Sequence, residues 1–373
     1  MFAELPYEIF DIILDYLSDK NKCNLYKSYN KEIYNKAIKF NKKNMLYDYY
    51  SPYTFINSKL FIAKNIFIVL PEDVKDLTNF VFRKITNINL KFCDIFNENI
   101  DLLSNLDIDI GEIQLGKHFN KNINILPKTL KKIKFGLIYK KNLDNLPDNL
   151  THLSITRTTG TICKFPKTIT HLNICSKSLV NNEINKIYFP NLTHLNLSCG
   201  SETNIDNLPE TLKHLVIHYR SHSPFPDTKL PDSIKYLILK NCNNTIIKYP
   251  KNLKYLSVDK LPSDVDLSTL ANLKHLCVNS RNFTEIPKNT QKLTLKFPLL
   301  LPSSDMMSRK FVIPEGITDL YLETHDLVQN IVFSNTVKYV HILKAYYSNL
   351  IRVFKRILPE NIIILPYEKK RYF

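Results

Sequence analysis

The chain has 373 residues, with 51 Lys and Arg against 35 Asp and Glu, and a formal net charge of +16 at pH 7. This length allows two or three ordinary domains, and the positive charge is compatible with nucleic-acid or acidic partners without indicating either by itself. The seven cysteines are scattered and form no C-x-x-C pair, which favours a reduced intracellular protein over a disulfide-rich secreted one.

The N-terminal sequence does not fit a secretion signal. Met1–Leu17 carries Glu4, Glu8, Asp11 and Asp15 where a signal peptide has its apolar segment. No uninterrupted apolar run approaches the roughly 18 residues of a membrane-spanning helix. We therefore expect an intracellular protein of the cytoplasm or nucleus, with no membrane association.

Residues 1–45 have helical periodicity. After Leu5-Pro6, apolar residues recur at i, i+3, i+4, i+7 and i+8, namely Ile9, Ile12, Ile13, Tyr16 and Leu17. This spacing gives one wide apolar stripe on a helix. After a break at Ser18-Asp19, the apolar residues Leu25, Tyr29 and Ile33 continue at i+4 steps. Three short helices with surplus apolar surface predict a docking module.

Residues 46–120 are predicted to form an irregular linker and degenerate capping repeats. Leu70-Pro71 and Phe82–Leu90 are loose copies of a motif that dominates the rest of the chain. An atypical end unit is expected in a repeat protein because it must cover the core of its neighbour.

The repeats occupy residues 121–343, and their clearest copy is Leu146–Ile155, with the sequence LPDNLTHLSI. The same phrase returns at Phe165–Ile174, Phe189–Leu197, Leu208–Ile217, Leu230–Leu239 and Tyr249–Val258. Its prolines, from Pro127 to Pro250, lie 19 to 24 residues apart, which is within the leucine-rich-repeat range. The alternation of apolar and polar residues at the end of the phrase has the period of a half-exposed strand.

One such unit cannot bury enough apolar surface to fold alone. Neighbouring units must therefore stack, with one parallel strand each and a shared continuous core. The proline before each strand suits a corner, because it has no N–H to donate to a ladder. The sequence predicts a parallel β-solenoid.

Residues 344–373 are predicted to form a C-terminal cap and a basic tail. Apolar residues over Ala345–Leu358 have helical spacing, at Tyr346, Leu350, Val353, Phe354 and Ile357. We expect this helix to cap the last strand, whose open edge would otherwise pair with another chain.

Two family resemblances follow from these motifs. Leu5-Pro6-Tyr7-Glu8-Ile9 with Ile13, Tyr16-Leu17 and Leu25 resembles an F-box, the three-helix module that docks on the adaptor subunit of cullin–RING ubiquitin ligases. The repeats resemble FNIP repeats, which are related to leucine-rich repeats. The order of the two is similar to that of a giant-virus protein group. The resemblance implies an α+β protein: a small three-helix F-box, then a leucine-rich-repeat-like solenoid with a short capping helix.

The F-box resemblance also implies which residues contact the adaptor of the host ligase. These residues are Leu5, Pro6, Ile9, Ile13, Leu17 and Leu25. The solenoid would then hold an unidentified target protein, for which the solvent-facing strand positions are the natural surface. The candidate target face comprises His152, Ser154, His171, Asn173, His194, Asn196, His214, Val216, Tyr236 and Tyr255.

Histidines recur at one position of the repeats, and a row of imidazoles suggests a line of metal-binding ligands. Imidazole is a common ligand, but a flat row at about 4.8 Å spacing does not give converging ligands. We therefore expect no metal and no cofactor. With no phosphate-binding Gly-rich loop and no G-x-S-x-G sequence, we expect no enzymatic activity.

The leading hypothesis is a substrate-recognition subunit of a cullin–RING ubiquitin ligase. One alternative is a nucleic-acid-binding basic repeat protein. The lysines argue against it, because they are spread along the chain and only Lys134, Lys240 and Lys296 are expected to point out of the strand face. The other is a scaffold or decoy that occupies the host ligase without delivering a target.

Overall fold

A computed structural model describes residues 65–68, 88–106, 109–143, 145–155, 164–175, 184–200, 203–219, 229–241, 248–259, 270–279, 286–296, 311–323 and 331–368. The chain divides into two compact units, unit 1 (Met1–Glu183) and unit 2 (Ile184–Phe373). The helices predicted for residues 1–45 lie outside the described residues.

Unit 1 contains a parallel sheet whose strands follow one another in chain order. The elements are β1 (Asn65–Ile68), β2 (Ile88–Phe92), a 3-10 helix (Asp101–Asn105), β3 (Ile110–Gln114), β4 (Lys132–Lys134), β5 (His152–Ile155) and β6 (His171–Cys175). Each strand from β2 onward pairs in parallel with the one before it. The ladder of strands thus extends back into the region predicted as linker and degenerate repeats.

Unit 2 repeats the arrangement with more strands. Its elements are β7 (His194–Cys199), β8 (His214–Tyr219), β9 (Tyr236–Lys240), β10 (Tyr255–Ser257), β11 (His275–Asn279), β12 (Lys292–Lys296), β13 (Phe311–Val312), β14 (Asp319–Glu323), β15 (Ile331–Val332), β16 (Tyr339–Leu343), α1 (Lys344–Ile357) and β17 (Ile363–Tyr367). The strands β7 to β12 pair consecutively, followed by β14, β16 and β17. The strands β13 and β15 form a separate parallel pair.

The predicted parallel solenoid is confirmed in both units, with the repeated leucines in register. Leu153 pairs with Leu172 and Ile155 with Ile174, and all four side chains are buried. The residue that begins the motif Leu-x-x-Leu, such as Leu150, is also buried. Its N–H donates to the carbonyl oxygen of Pro147, 3.0 Å away, so the predicted proline corner is a four-residue turn.

A ladder of small polar side chains joins successive turns. In several repeats the residue two positions after the proline donates a hydrogen bond to a carbonyl oxygen of the preceding repeat, and we call this set of bonds the turn ladder. Thr168 Oγ1 lies 2.6 Å from Asp148 O and 2.7 Å from Leu150 O, and Asn252 Nδ2 lies 3.0 Å from Asp232 O. These bonds satisfy carbonyl groups that have no partner in the strand ladder.

Unit 1 has a stacked aromatic column beside its strands. The rings of Phe96, Phe119 and Tyr139 lie nearly parallel, with centroids 6.5 Å and 6.1 Å apart. The turn before each of the last two rings contains a glycine, Gly116 or Gly136. A Cβ at Gly136 would overlap the carbonyl oxygen of Gly116, so the backbones approach too closely for any side chain.

The C-terminal helix exists, but its predicted capping position is wrong. α1 lies between β16 and β17, and β17 pairs in parallel with β16 and ends the sheet of unit 2. The sequence signal for this strand is a further copy of the proline phrase at Leu358-Pro359-Glu360-Asn361-Ile362. The edge strand contains Pro366, which blunts an open edge because it has no N–H.

In the part of the chain that the structure describes, no helix combines the length and apolarity that crossing a membrane requires.

Candidate partner-binding face

Aromatic rings line the strand face of each unit at one position of the repeat. In unit 1 this ring row consists of His152 and His171, whose rings stack 4.0 Å apart and 11° from parallel. In unit 2 the ring row contains His194, His214, Tyr236, Tyr255 and His275, each paired with the next by strand register. The predicted row of recurring rings is therefore present within each unit.

Within the ring row of unit 2, the first three rings stack most closely. The rings of His194 and His214 lie 4.2 Å apart, and those of His214 and Tyr236 lie 4.3 Å apart at 4°. His275 departs from this pattern, since its ring meets Tyr255 edge-on. Because the stacked rings cover one another's faces, a partner meets mainly ring edges.

The histidines of unit 1 are held in place by hydrogen bonds to the preceding threonines. Thr151 Oγ1 lies 3.0 Å from Lys131 O and 2.9 Å from His152 Nδ1. Thr170 makes the same two contacts with Thr151 O and His171 Nδ1. These bonds fix the orientation of each ring on the strand face.

Burial and neighbouring positive charge favour the neutral form of both imidazoles. Burial, the neighbouring His171 and the charge of Lys132 lower the pKa of His152 from 6.5 to about 4. Burial and Lys132 also lower the pKa of His171. Among the residues that the structure describes, no group of three His, Cys, Asp or Glu side chains could hold a metal ion.

The second outward row of unit 1 is polar, as predicted. Ser154 and Asn173 pair across β5 and β6, and Asn173 Nδ2 donates to Ser154 Oγ at 3.1 Å. Both side chains are half-buried. Unit 1 thus offers imidazole and amide groups that already have fixed orientations.

The corresponding face of unit 2 is partly apolar, contrary to expectation. Val216 pairs with Asn196 and was predicted to face solvent, but it is only 5% exposed. Tyr255 is 9% exposed, and both residues belong to a buried cluster with Ile238 and Cys277. Lateral packing between neighbouring strands removes these side chains from solvent. Val216 and Tyr255 therefore help to pack the face and are not part of its exposed surface. The other predicted residues of this face, His194, Asn196, His214 and Tyr236, are half-buried.

An acidic centre lies at the end of this face, on β12, β14 and β16. Asp319 Oδ1 is 3.2 Å from His341 Nε2 and 3.9 Å from Lys292 Nζ. The ring of His341 stacks on Tyr321 with centroids 4.1 Å apart. The carboxylate of Asp319 is thus held between Lys292 and His341.

Sequence reasoning missed a row of lysines in unit 2, which we call the lysine row: Lys213, Lys235, Lys254 and Lys274. Each precedes a member of the ring row, as in the sequences LKHL, IKYL and LKYL, and this repetition was the signal that could have identified it. Lys235, Lys254 and Lys274 each donate their backbone N–H to the carbonyl oxygen of the preceding lysine, at 2.9, 2.8 and 2.9 Å. All four are exposed.

The lysines expected on the strands have different environments. Lys134 and Lys240 are exposed, whereas Lys296 Nζ donates to Ser257 Oγ at 2.8 Å.

The residues predicted to contact the ligase adaptor, from Leu5 to Leu25, lie outside the described residues.

Comparison with known proteins gives similarities to solved structures. No family model and no curated protein matches the chain. The chain is similar to a solved structure described as CroV588, a novel circular LRR protein, with 18% identity, TM-score 0.34, and coverage of 82% of this chain and 66% of the other. It is also similar to YopM from Yersinia enterocolitica WA-314, with 16% identity, TM-score 0.33, and coverage of 82% and 63%. The chain spans less than two thirds of the length of either structure.

Proposed function

We propose that the repeats bind a protein partner through their strand face. The observation that carries this proposal is the ordered ring row, flanked in unit 2 by the exposed lysine row. Rings that are stacked and hydrogen-bonded before binding lose little side-chain entropy when a partner docks. Solenoids of this kind generally use an extended strand-lined surface for binding.

We further propose that the protein is the substrate-recognition subunit of a cullin–RING ubiquitin ligase in the host cytoplasm or nucleus. The support is the resemblance of residues 5–43 to an F-box, which would attach the chain to the ligase adaptor. Catalysis would then be positioning, because the bound target is held near the charged ubiquitin carrier. No residue of this chain would contact the reacting bond, and the chain would not itself be an enzyme.

Co-purification from host cells tests the attachment. The variant Leu5→Ala, Pro6→Ala, Ile9→Ala is expected to lose the ligase adaptor, because it removes apolar surface from the first predicted helix. Circular dichroism should give an unchanged unfolding transition for the repeats. The matched control replaces the exposed Leu137 with Ala in unit 1 and should retain the adaptor. Full retention of the adaptor by the triple variant would contradict the ligase proposal.

Nucleic-acid binding is a second candidate because of the net charge of +16. Single-strand binding without sequence preference uses aromatic faces on which bases stack, whereas the His214 ring has His194 and Tyr236 on its two sides. A filter-binding titration at low salt tests this candidate, since phosphate contacts give steep salt dependence. We expect only weak binding, without preference among sequences.

A decoy that holds the adaptor without delivering a target is the third candidate. Reconstituted ligase separates it from a working receptor. Ubiquitin transfer to a co-purified partner would support the receptor, and adaptor binding without transfer would support the decoy.

A further inference from the structure

The lysine row of unit 2 is a continuous line of positive charge. Direct backbone hydrogen bonds connect Lys213 to Lys235, Lys235 to Lys254, and Lys254 to Lys274. The four side chains therefore start from the residues directly before adjacent strands, at a spacing of about 4.8 Å. The row runs across the strands, parallel to the ring row.

These four ammonium groups have no acidic partner among the residues that the structure describes. Within the described part of unit 2 the ion pairs are Lys292–Asp319 and Lys344–Glu368, and His341 also contacts Asp319. None of them includes a member of the lysine row. Like charges on directly opposite residues of neighbouring strands destabilise a sheet. The repeats thus maintain a repulsive arrangement that an external anion would relieve.

We infer that the lysine row binds an acidic, extended segment of the partner protein, lying across the strands of unit 2. This inference rests on the proposed protein-binding function of the repeats, and it adds the chemistry of the bound segment. Carboxylates of the segment would pair with ammonium groups of the row, and the adjoining polar ring edges would line one side of the segment.

The spacing of the row fits an extended peptide. Three intervals between four strands span about 14 Å. An extended chain rises about 3.3 Å per residue, so alternate side chains on one side are about 6.6 Å apart. About five residues cover the row and bring three carboxylates to it. The flexible stem of a lysine can make up the difference in spacing.

A protein segment fits this surface better than a nucleic acid does. The lysines form one line beside rings whose faces are already stacked on each other at His194, His214 and Tyr236. A single-stranded nucleic acid would contact the positive charges, but its bases would have no free aromatic face in this row on which to stack. A peptide needs only the charge and polar edges.

Fluorescence anisotropy with the full chain tests the inference. The probe is a labelled peptide of alternating glutamate and serine, and its comparisons are the same peptide with glutamine in place of glutamate and an oligo(dT) of equal charge. The test variant replaces Lys213, Lys235, Lys254 and Lys274 with Gln. The control variant replaces Lys117, Lys121, Lys140 and Lys141 of unit 1 with Gln. These lysines are also exposed, and the control variant has the same net charge as the test variant.

We expect the test variant to lose at least about tenfold in affinity for the glutamate peptide, as three modest exposed pairs imply. The control variant should lose less than about threefold, and the glutamine peptide should bind neither protein. Equal losses in the two variants would overturn the inference, because they would indicate diffuse attraction. So would tighter binding of oligo(dT) that depends on the same four lysines, or a glutamate peptide that binds the test variant unchanged.

The experiment distinguishes a failure of the ligase proposal from a failure of the inference about the lysine row. The test variant should retain the ligase adaptor, because the predicted docking helices are unchanged. Lost peptide binding with retained adaptor supports both proposals, whereas retained peptide binding contradicts only the inference about the lysine row.

Discussion

His275 Nε2 lies 2.8 Å from Thr294 Oγ1 on the neighbouring strand, and its ring lies near those of Tyr255 and Tyr321. Burial, followed by the charge of Lys292, lowers the pKa of this imidazole from 6.5 to about 4, against the opposing effect of Asp319. Below pH 6.5 the unfolded chain therefore binds a proton that the folded chain does not bind.

We predict that this group makes the free energy of unfolding fall as the pH drops from about 6.5 to about 4. A depressed histidine pKa leaves stability intact above the unfolded value and reduces it below. The full effect is about 3 kcal/mol at 1.36 kcal/mol per pKa unit. Urea unfolding at pH 7.5 and 4.5 measures it, and His275→Gln should reduce the difference.

The control for this prediction is His118→Gln. His118 is exposed in unit 1, so its replacement should leave the pH dependence as in the unsubstituted protein. Equal pH dependence of the His275→Gln variant and the unsubstituted protein would contradict the assignment to His275.

The close approach of Gly136 to Gly116 gives the second prediction. An added Cβ at Gly136 would overlap backbone atoms of Gly116 and Lys117, and backbone cannot turn away as a flexible side chain can. Gly136→Ala should lower the free energy of unfolding by about 3 kcal/mol, the upper part of the range for overpacking. Thermal unfolding measures the loss. Leu137→Ala, at the exposed neighbouring position, should change stability little, and equal effects of the two would refute the explanation.

The repeat motif predicted much of this fold, because its period of two residues distinguishes the buried face of each strand from the exposed face. Leu153 and Leu172 were assigned to the core from alternation alone, and their burial and register agree. The ring row also followed from the motif, since His152 and His171 occupy equivalent slots. The turn ladder was missed although small polar residues such as Thr168 and Asn252 recur two positions after the proline.

Other features depend on distances between repeats, which one repeat does not encode. Val216 has the position of a solvent-facing residue, yet lateral packing against Ile238 and Cys277 buries it. The contact of Gly136 with the preceding turn likewise depends on how closely two backbones stack. The strand β17 was missed for another reason, since α1 interrupts the regular spacing before its proline phrase.

The hydroxyl of Tyr139 gives the third prediction. The side chain is fully buried, and its hydroxyl has no hydrogen-bond partner among the residues that the structure describes. A buried unsatisfied polar group costs about 1–3 kcal/mol. Tyr139→Phe should therefore raise the free energy of unfolding by about 1 kcal/mol or more, while keeping the stack on Phe119. Chemical denaturation measures the change, with the exposed Tyr188→Phe as the neutral control. A clear loss of stability in Tyr139→Phe would contradict the prediction.

The turn ladder gives the fourth prediction, at Thr168. Its hydroxyl lies within hydrogen-bond distance of two carbonyl oxygens of the preceding turn, those of Asp148 and Leu150. Thr168→Val keeps the shape of the side chain but leaves these carbonyls with fewer donors, and should cost about 1 kcal/mol. Thr168→Ser keeps the hydroxyl and should cost less. Urea unfolding of both variants makes the comparison, because the serine variant tests the bond and the valine variant tests its loss. If the valine variant were as stable as the serine variant, the ladder would contribute nothing to the stacking of these repeats.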